Sequence, residues 1–222
     1  MHLNSTGKLA MLLALLVLSL ASRVLADDVA PPWNKGLAAN YLDERAKEWL
    51  AFPSAGRGQD ETKTSCVSCH TAGPYLLARP VLRKLAGVGQ PTEQEKTLVE
   101  QTRLRVEHWG ELDSPRYRLM YDFDDQKKKE SWGTEAVLNA VVLAFDDRYY
   151  GRQTPSDSTL RAFANLWQTQ AAHGDHAGAW EWLNFLFEPW ESTGSKYFGA
   201  ALAAVAVGTA PGYYSPGADA AV

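Results

Sequence analysis

The most constraining feature of the chain is the run Cys66-Val67-Ser68-Cys69-His70, whose two cysteines are the only ones among 222 residues. Two thiols exclude a small fold stapled by several disulfides, and no second pair exists to complete a four-ligand zinc site. A Cys66–Cys69 disulfide or a thioredoxin-like redox pair would account for the cysteines. Neither gives His70 a part, and no βαβ pattern surrounds them. Cys-x-x-Cys-His is instead the attachment pattern of c-type haem. Two thiols at this spacing can form thioethers with the two vinyl groups on one edge of the porphyrin, and the adjacent histidine then lies under the iron as its proximal ligand. The run predicts one covalent haem c on Cys66, Cys69 and His70.

The rest of the sequence reads as helices. Tyr41, Leu42, Ala46, Trp49 and Leu50 fall at helical spacing between Ala38 and Leu50, and Pro53 stops that segment. Pro80 is placed to open a short helix, Val81 to Leu85. Thr92 with Glu95 forms a capping-box signature ahead of Leu98, Val99, Thr102 and Val106. The mixed, charged stretch Glu111 to Trp132 reads as a connector. Helices are then expected over Thr134 to Phe145, from Pro155 or Ser156 onward, and over Ser195 to Val207, which is rich in alanine. No alternation suited to strands is visible. The expected class is all-α, with a haem-bearing region over 27–125 and an α/α-hairpin region over 126–222.

Residues 1–26 have the pattern of a secretory signal. Lys8 supplies the positive end, Leu9 to Ala21 is apolar apart from Ser19, and Val24-Leu25-Ala26 offers small residues for cleavage. Thirteen residues rise only about 20 Å as a helix, short for a hydrocarbon core of ~30 Å. The chain is expected to be exported to the periplasm with no stable membrane span after cleavage; an uncleaved segment would act as an anchor. Removing Lys8 and Arg23 lowers the basic count from 22 to 20 against 26 acids, a net charge of −6. Such an acidic surface argues against nucleic acid as partner and would steer toward a basic redox partner protein.

After cleavage one methionine, Met120, and four histidines, His70, His108, His173 and His176, remain. Met120 is a candidate sixth iron ligand. His108 is its rival, although the end of a helix is also an ordinary place for a surface histidine. An empty sixth position is the third possibility. His173 and His176, in a glycine-containing loop, read as solvated.

The motif and the residues after it, Thr71-Ala72-Gly73-Pro74-Tyr75-Leu76, resemble class I cytochrome c domains, where a Gly-Pro-x-Leu element is common. The resemblance implies that the Pro74 carbonyl accepts a hydrogen bond from the His70 imidazole; the alternative is an ordinary turn proline. A different resemblance lies downstream. Leu166-Trp167-Gln168-Thr169-Gln170 with Gly178-Ala179-Trp180 is similar to the Gln-Trp repeat of terpenoid cyclases of the squalene–hopene type. In that α/α-toroid family the glutamine caps a helix and the tryptophan stacks on it. Asp122-Phe123-Asp124-Asp125 matches the cyclase Asp-x-Asp-Asp pattern, in which Asp124 would be the proton donor. Here, however, the motif precedes the repeat and runs into Lys127-Lys128-Lys129, as a solvated charge run does.

The expected function is electron transfer through the haem, with the protein as a carrier rather than an enzyme. The alternatives are a helical module binding an isoprenoid or peptide with its aromatic segment (Trp180, Trp182, Phe185, Phe187, Trp190), or a cyclase-like fragment.

Overall fold

Six helices and one two-stranded ribbon are laid out along residues 33–214, the portion that the computed structural model describes. The signal segment expected over 1–26 lies outside the described residues. The class is all-α. No helix among the described residues is long and apolar enough to cross a membrane.

Helix α1 spans Lys35–Ala51. It turns Ala46 fully inward and lays Leu42, Trp49 and Leu50 against the core. The chain then makes an antiparallel ribbon, β1 (Gly56–Arg57) with β2 (Thr64–Ser65), in the register Gly56↔Ser65 and Arg57↔Thr64. This ribbon delivers Cys66.

Helix α2, Ala72–Leu85, begins immediately after the cysteine motif, because the Ser68 hydroxyl accepts from the backbone N–H groups of Thr71 (2.8 Å) and Ala72 (3.2 Å). The short helix expected to open at Pro80 is therefore a longer one with Pro80 inside it. Proline removes one donor from the ladder, but burial of Ala72, Tyr75, Leu76 and Leu82 outweighs that loss. The Arg79 guanidinium and Tyr75 hydroxyl both donate to Asp43, tying α2 to α1. Helix α3, Glu93–Glu107, opens with both bonds of the Thr92–Glu95 capping box.

Helix α4, Asp125–Tyr149, starts well before the expected Thr134. Asp124 caps it, accepting from the Lys127 N–H at 2.7 Å, so the charge run read as connector forms its first turns. From Ala136 to Ala144 every residue is buried. A helix enclosed all round is a central one, and α4 packs against α2, α3, α5 (Asp157–Thr169) and α6 (Lys196–Thr209). One hydrophobic cluster runs from Ala46, Leu76 and Leu98 through α4 to Phe163, Leu166 and Ala206.

Candidate functional site

Cys66 leaves β2 with its backbone fixed on both sides. Its N–H donates to the Ala55 carbonyl at 2.8 Å, and its carbonyl accepts from the Trp49 indole at 2.9 Å. The next turn carries Cys69 and His70 and ends in the Ser68-capped start of α2. Both cysteines are buried and neither is in a disulfide. Together with His70 they line a cavity of about 140 Å3, whose other walls include Trp49, Phe52, Arg57, Met120, Tyr121 and Leu183. Trp49, Phe52 and His70 also border an open groove of about 530 Å3 between α1 and the start of α2. The cavity alone is small for a large ligand, whereas the groove is within the ~300–1,000 Å3 usual for ligand sites.

Of the two sixth-ligand candidates, the structure brings Met120 to this cavity. Met120 is 3 % exposed. The Arg57 Nε donates to its carbonyl at 3.0 Å, and Ser131 bonds both backbone groups of Tyr121. His108 lies elsewhere, stacked on Tyr117 at 4.4 Å with Nδ1 3.0 Å from Glu111. His173 and His176 are exposed.

A residue without any sequence signal completes the cluster. Glu191, 122 residues after Cys69, accepts from the Cys69 thiol at 3.2 Å and lies 3.5 Å from His70 Nε2. Cys69 Sγ, a His70 ring nitrogen and a Glu191 oxygen all fall within 4.8 Å of one another. Glu191 reaches the motif because Phe185 and Phe187 pair with it through backbone bonds of 2.8–2.9 Å, and Trp182 anchors the same loop by donating to the Trp190 carbonyl at 2.7 Å. The hydrogen bond with Glu191 raises the His70 pKa, and the same bond lowers that of Glu191. Burial pushes the Cys66 thiol up to about 11. Burial raises Cys69 further still, with Glu191 adding to the effect. Both thiols are thus neutral near pH 7, the opposite of what thiol–disulfide exchange needs.

The His70 ring faces Glu191 and the Thr71 hydroxyl rather than the Pro74 carbonyl that the resemblance implied. Pro74 lies within the first turn of α2, and the contact at Nδ1 is the Thr71 hydroxyl at 3.5 Å. Downstream, the Gln-Trp pair is in contact, with roles that differ from those expected. The Trp180 indole donates to the Leu166 carbonyl near the end of α5 (2.7 Å), while Gln170 donates to the Gly178 carbonyl (2.8 Å). Asp124 is an exposed cap, with none of the enclosure that a proton donor to a hydrocarbon requires. Trp180 and Trp182 belong to the core, whereas Phe187 and Trp190 remain exposed.

The donors are of the kinds a c-type haem uses: two thiols outside any disulfide at the right spacing, an adjacent imidazole, a thioether lining the same cavity and several aromatic side chains. Comparison with protein-family models, with curated proteins and with solved structures returned no match, so the chemistry of the site is argued from its own geometry.

Proposed function

We propose that the chain is an exported protein that holds one haem c on Cys66 and Cys69, with His70 as an iron ligand, and carries electrons. One observation supports this reading above the rest: two buried thiols, neither of them in a disulfide, line one cavity together with His70 and Met120. When bound, haem supplies one-electron chemistry at its iron. The chain's own residues would do the rest. The Ala55 and Trp49 bonds hold Cys66 in register, and the Ser68 cap fixes the turn that presents Cys69 and His70. Trp49, Phe52, Tyr121 and Leu183 exclude water, and Met120 offers a soft sulfur donor.

The test is a pyridine haemochrome spectrum of the chain expressed with haem c maturation factors. A c-type band that survives acid–acetone extraction is the expected result. A correctly exported chain without covalent haem would overturn the reading.

A second reading is favoured by the Cys69–His70–Glu191 trio, whose soft, borderline and hard donors would suit a divalent zinc-like ion with an open fourth position. Zinc binding by the haem-free chain, abolished together by Cys69→Ser and Glu191→Gln, would favour it.

A further inference from the structure

Another groove, of about 400 Å3, shares no lining residue with the cysteine cavity or the groove beside it. It lies at the C-terminal ends of α2 and α4, which contribute Arg83 and Lys84 from one and Arg148 and Tyr149 from the other. The turn Gly87-Val88-Gly89 forms a further wall. Three cations line this groove and no acid does, on a chain whose acids outnumber its Lys and Arg by 26 to 22.

Lys84 and Arg148 are exposed, and each stands in the last turn of its helix, where the dipole alone favours a cation. Among the described residues neither has a carboxylate partner. Lys84 lies over the Tyr149 ring, 5.9 Å from its centre, whereas Arg152 is paired with Asp147. Arg83 is a different case, because it is only 6 % exposed and has given up most of its hydration. Its Nε donates to Glu95 at 3.3 Å, yet among the described residues neither Nη1 nor Nη2 donates to any group. The buried Arg105, by contrast, uses all three of its nitrogens, on Glu135, Thr64 and two backbone carbonyls. A guanidinium has five N–H donors, and a buried one that leaves its fork empty calls for an acceptor.

A fork, an ammonium and a second guanidinium on one groove exceed what a single carboxylate can satisfy. A phosphate group carries a charge of about −1.5 to −2 and three acceptor oxygens, and arginine grips it through two N–H groups at once. We propose that this groove binds the phosphate group of a small molecule, with Arg83 as its buried fork and Lys84 and Arg148 as its rim. The volume is within the ~300–1,000 Å3 usual for small ligands, which leaves room for an organic body against Val88 and the Tyr149 ring. An anionic phospholipid headgroup is the other source of the same chemistry.

The test is isothermal titration calorimetry of the full chain at constant ionic strength, with inorganic phosphate, phenyl phosphate and acetate in separate runs. No residue of the cysteine motif takes part, so the result is independent of haem attachment. Both phosphate probes should bind at one site, about tenfold or more tightly than acetate. The double variant Lys84→Gln/Arg148→Gln alters only exposed side chains, so it should fold, and it should weaken phosphate binding about tenfold or more. Arg83→Lys keeps a charge opposite Glu95 without the fork and should weaken binding likewise; the double variant covers the case in which it fails to fold. If neither phosphate probe binds, the chain is sedimented with vesicles of phosphatidylglycerol in phosphatidylcholine and of phosphatidylcholine alone. Sedimentation with the anionic vesicles only, lost in both variants, would assign the phosphate to a lipid headgroup and the site would stand. Acetate binding as tight as phosphate binding, phosphate or vesicle binding unchanged in the double variant, or no binding to any of these probes, overturns the proposal.

Discussion

Met120 and His108 differ in what surrounds them far more than in their fitness as ligands. Met120 is buried in the wall shared with both thiols, whereas His108 is stacked outside on Tyr117. In the haem-bearing protein, Met120→Leu is therefore expected to change the visible spectrum and lower the reduction potential, since a methionine ligand raises it. His108→Ala should leave both unchanged, as spectroelectrochemistry would show. Leucine is the informative replacement because it conserves volume, at a stability cost usually below ~1.5 kcal/mol. Alanine would add a cavity and confuse the two effects. The cysteines, His70 and Met120 were all legible from residue type and inventory. Glu191 and Arg57 were not. Nothing in the sequence around Trp190-Glu191-Ser192 marks an acid that will meet Cys69, and an arginine between two glycines reads as an ordinary loop residue until the ribbon turns it inward.

Among the elements, α4 is decisive, and its links to α3 carry two predictions. Arg105 of α3 and Glu135 of α4 are 1 % and 0 % exposed as a pair. Arg105 also donates to Thr64 (3.0 Å) and to the carbonyls of Tyr117 (3.2 Å) and Arg118 (3.0 Å). Glu135→Gln leaves that guanidinium buried and unpaired, which should cost about 3–5 kcal/mol in urea denaturation. It should also loosen the loop that carries Met120. The second link is Arg103 with Asp146, 2.5 Å apart. Burial pushes the Asp146 carboxyl up to about 6, with Arg103 pulling it down and Asp147 adding to the rise. The unfolded value is ~3.9, so between ~4 and ~6 the folded state binds more protons at this site. Its contribution to stability is therefore highest below pH ~4 and declines as pH rises toward 6. Asp146→Asn cannot titrate, so its stability relative to wild type should increase from pH 4 to pH 7. A difference that is flat across that range would contradict the assignment. Helical periodicity made the all-α class and α3 with its capping box readable. The starts of α2 and α4 were not, because each depends on a side chain outside the periodic pattern. Ser68, inside the cysteine motif, caps α2, and Asp124, inside a charge run, caps α4.

At the scale of the whole molecule, the same helix decides how the chain unfolds. Residues before the junction near 125 supply Ala46, Leu76 and Leu98 to the cluster; residues after it supply α4, Phe163, Leu166 and Ala206. Neither group closes a core by itself, since Leu76 of α2 and Leu98 of α3 lie in one cluster with α4, which packs against both helices. The α6 side is equally interdependent. A methyl group built on Gly199 would lie 2.4 Å from the Trp182 ring, so α6 seats on the loop that also carries Glu191. Heat or urea should thus unfold residues 35–214 in one cooperative step, with circular dichroism and tryptophan emission changing together. Gly199→Ala should lower that single midpoint without splitting it, because displacing the Trp182 ring disturbs a shared core. A chain ending at residue 125 should give little helical signal. Two separated transitions, or a well-folded fragment ending at 125, would mean instead that the cysteine-bearing segment holds its core independently of α4.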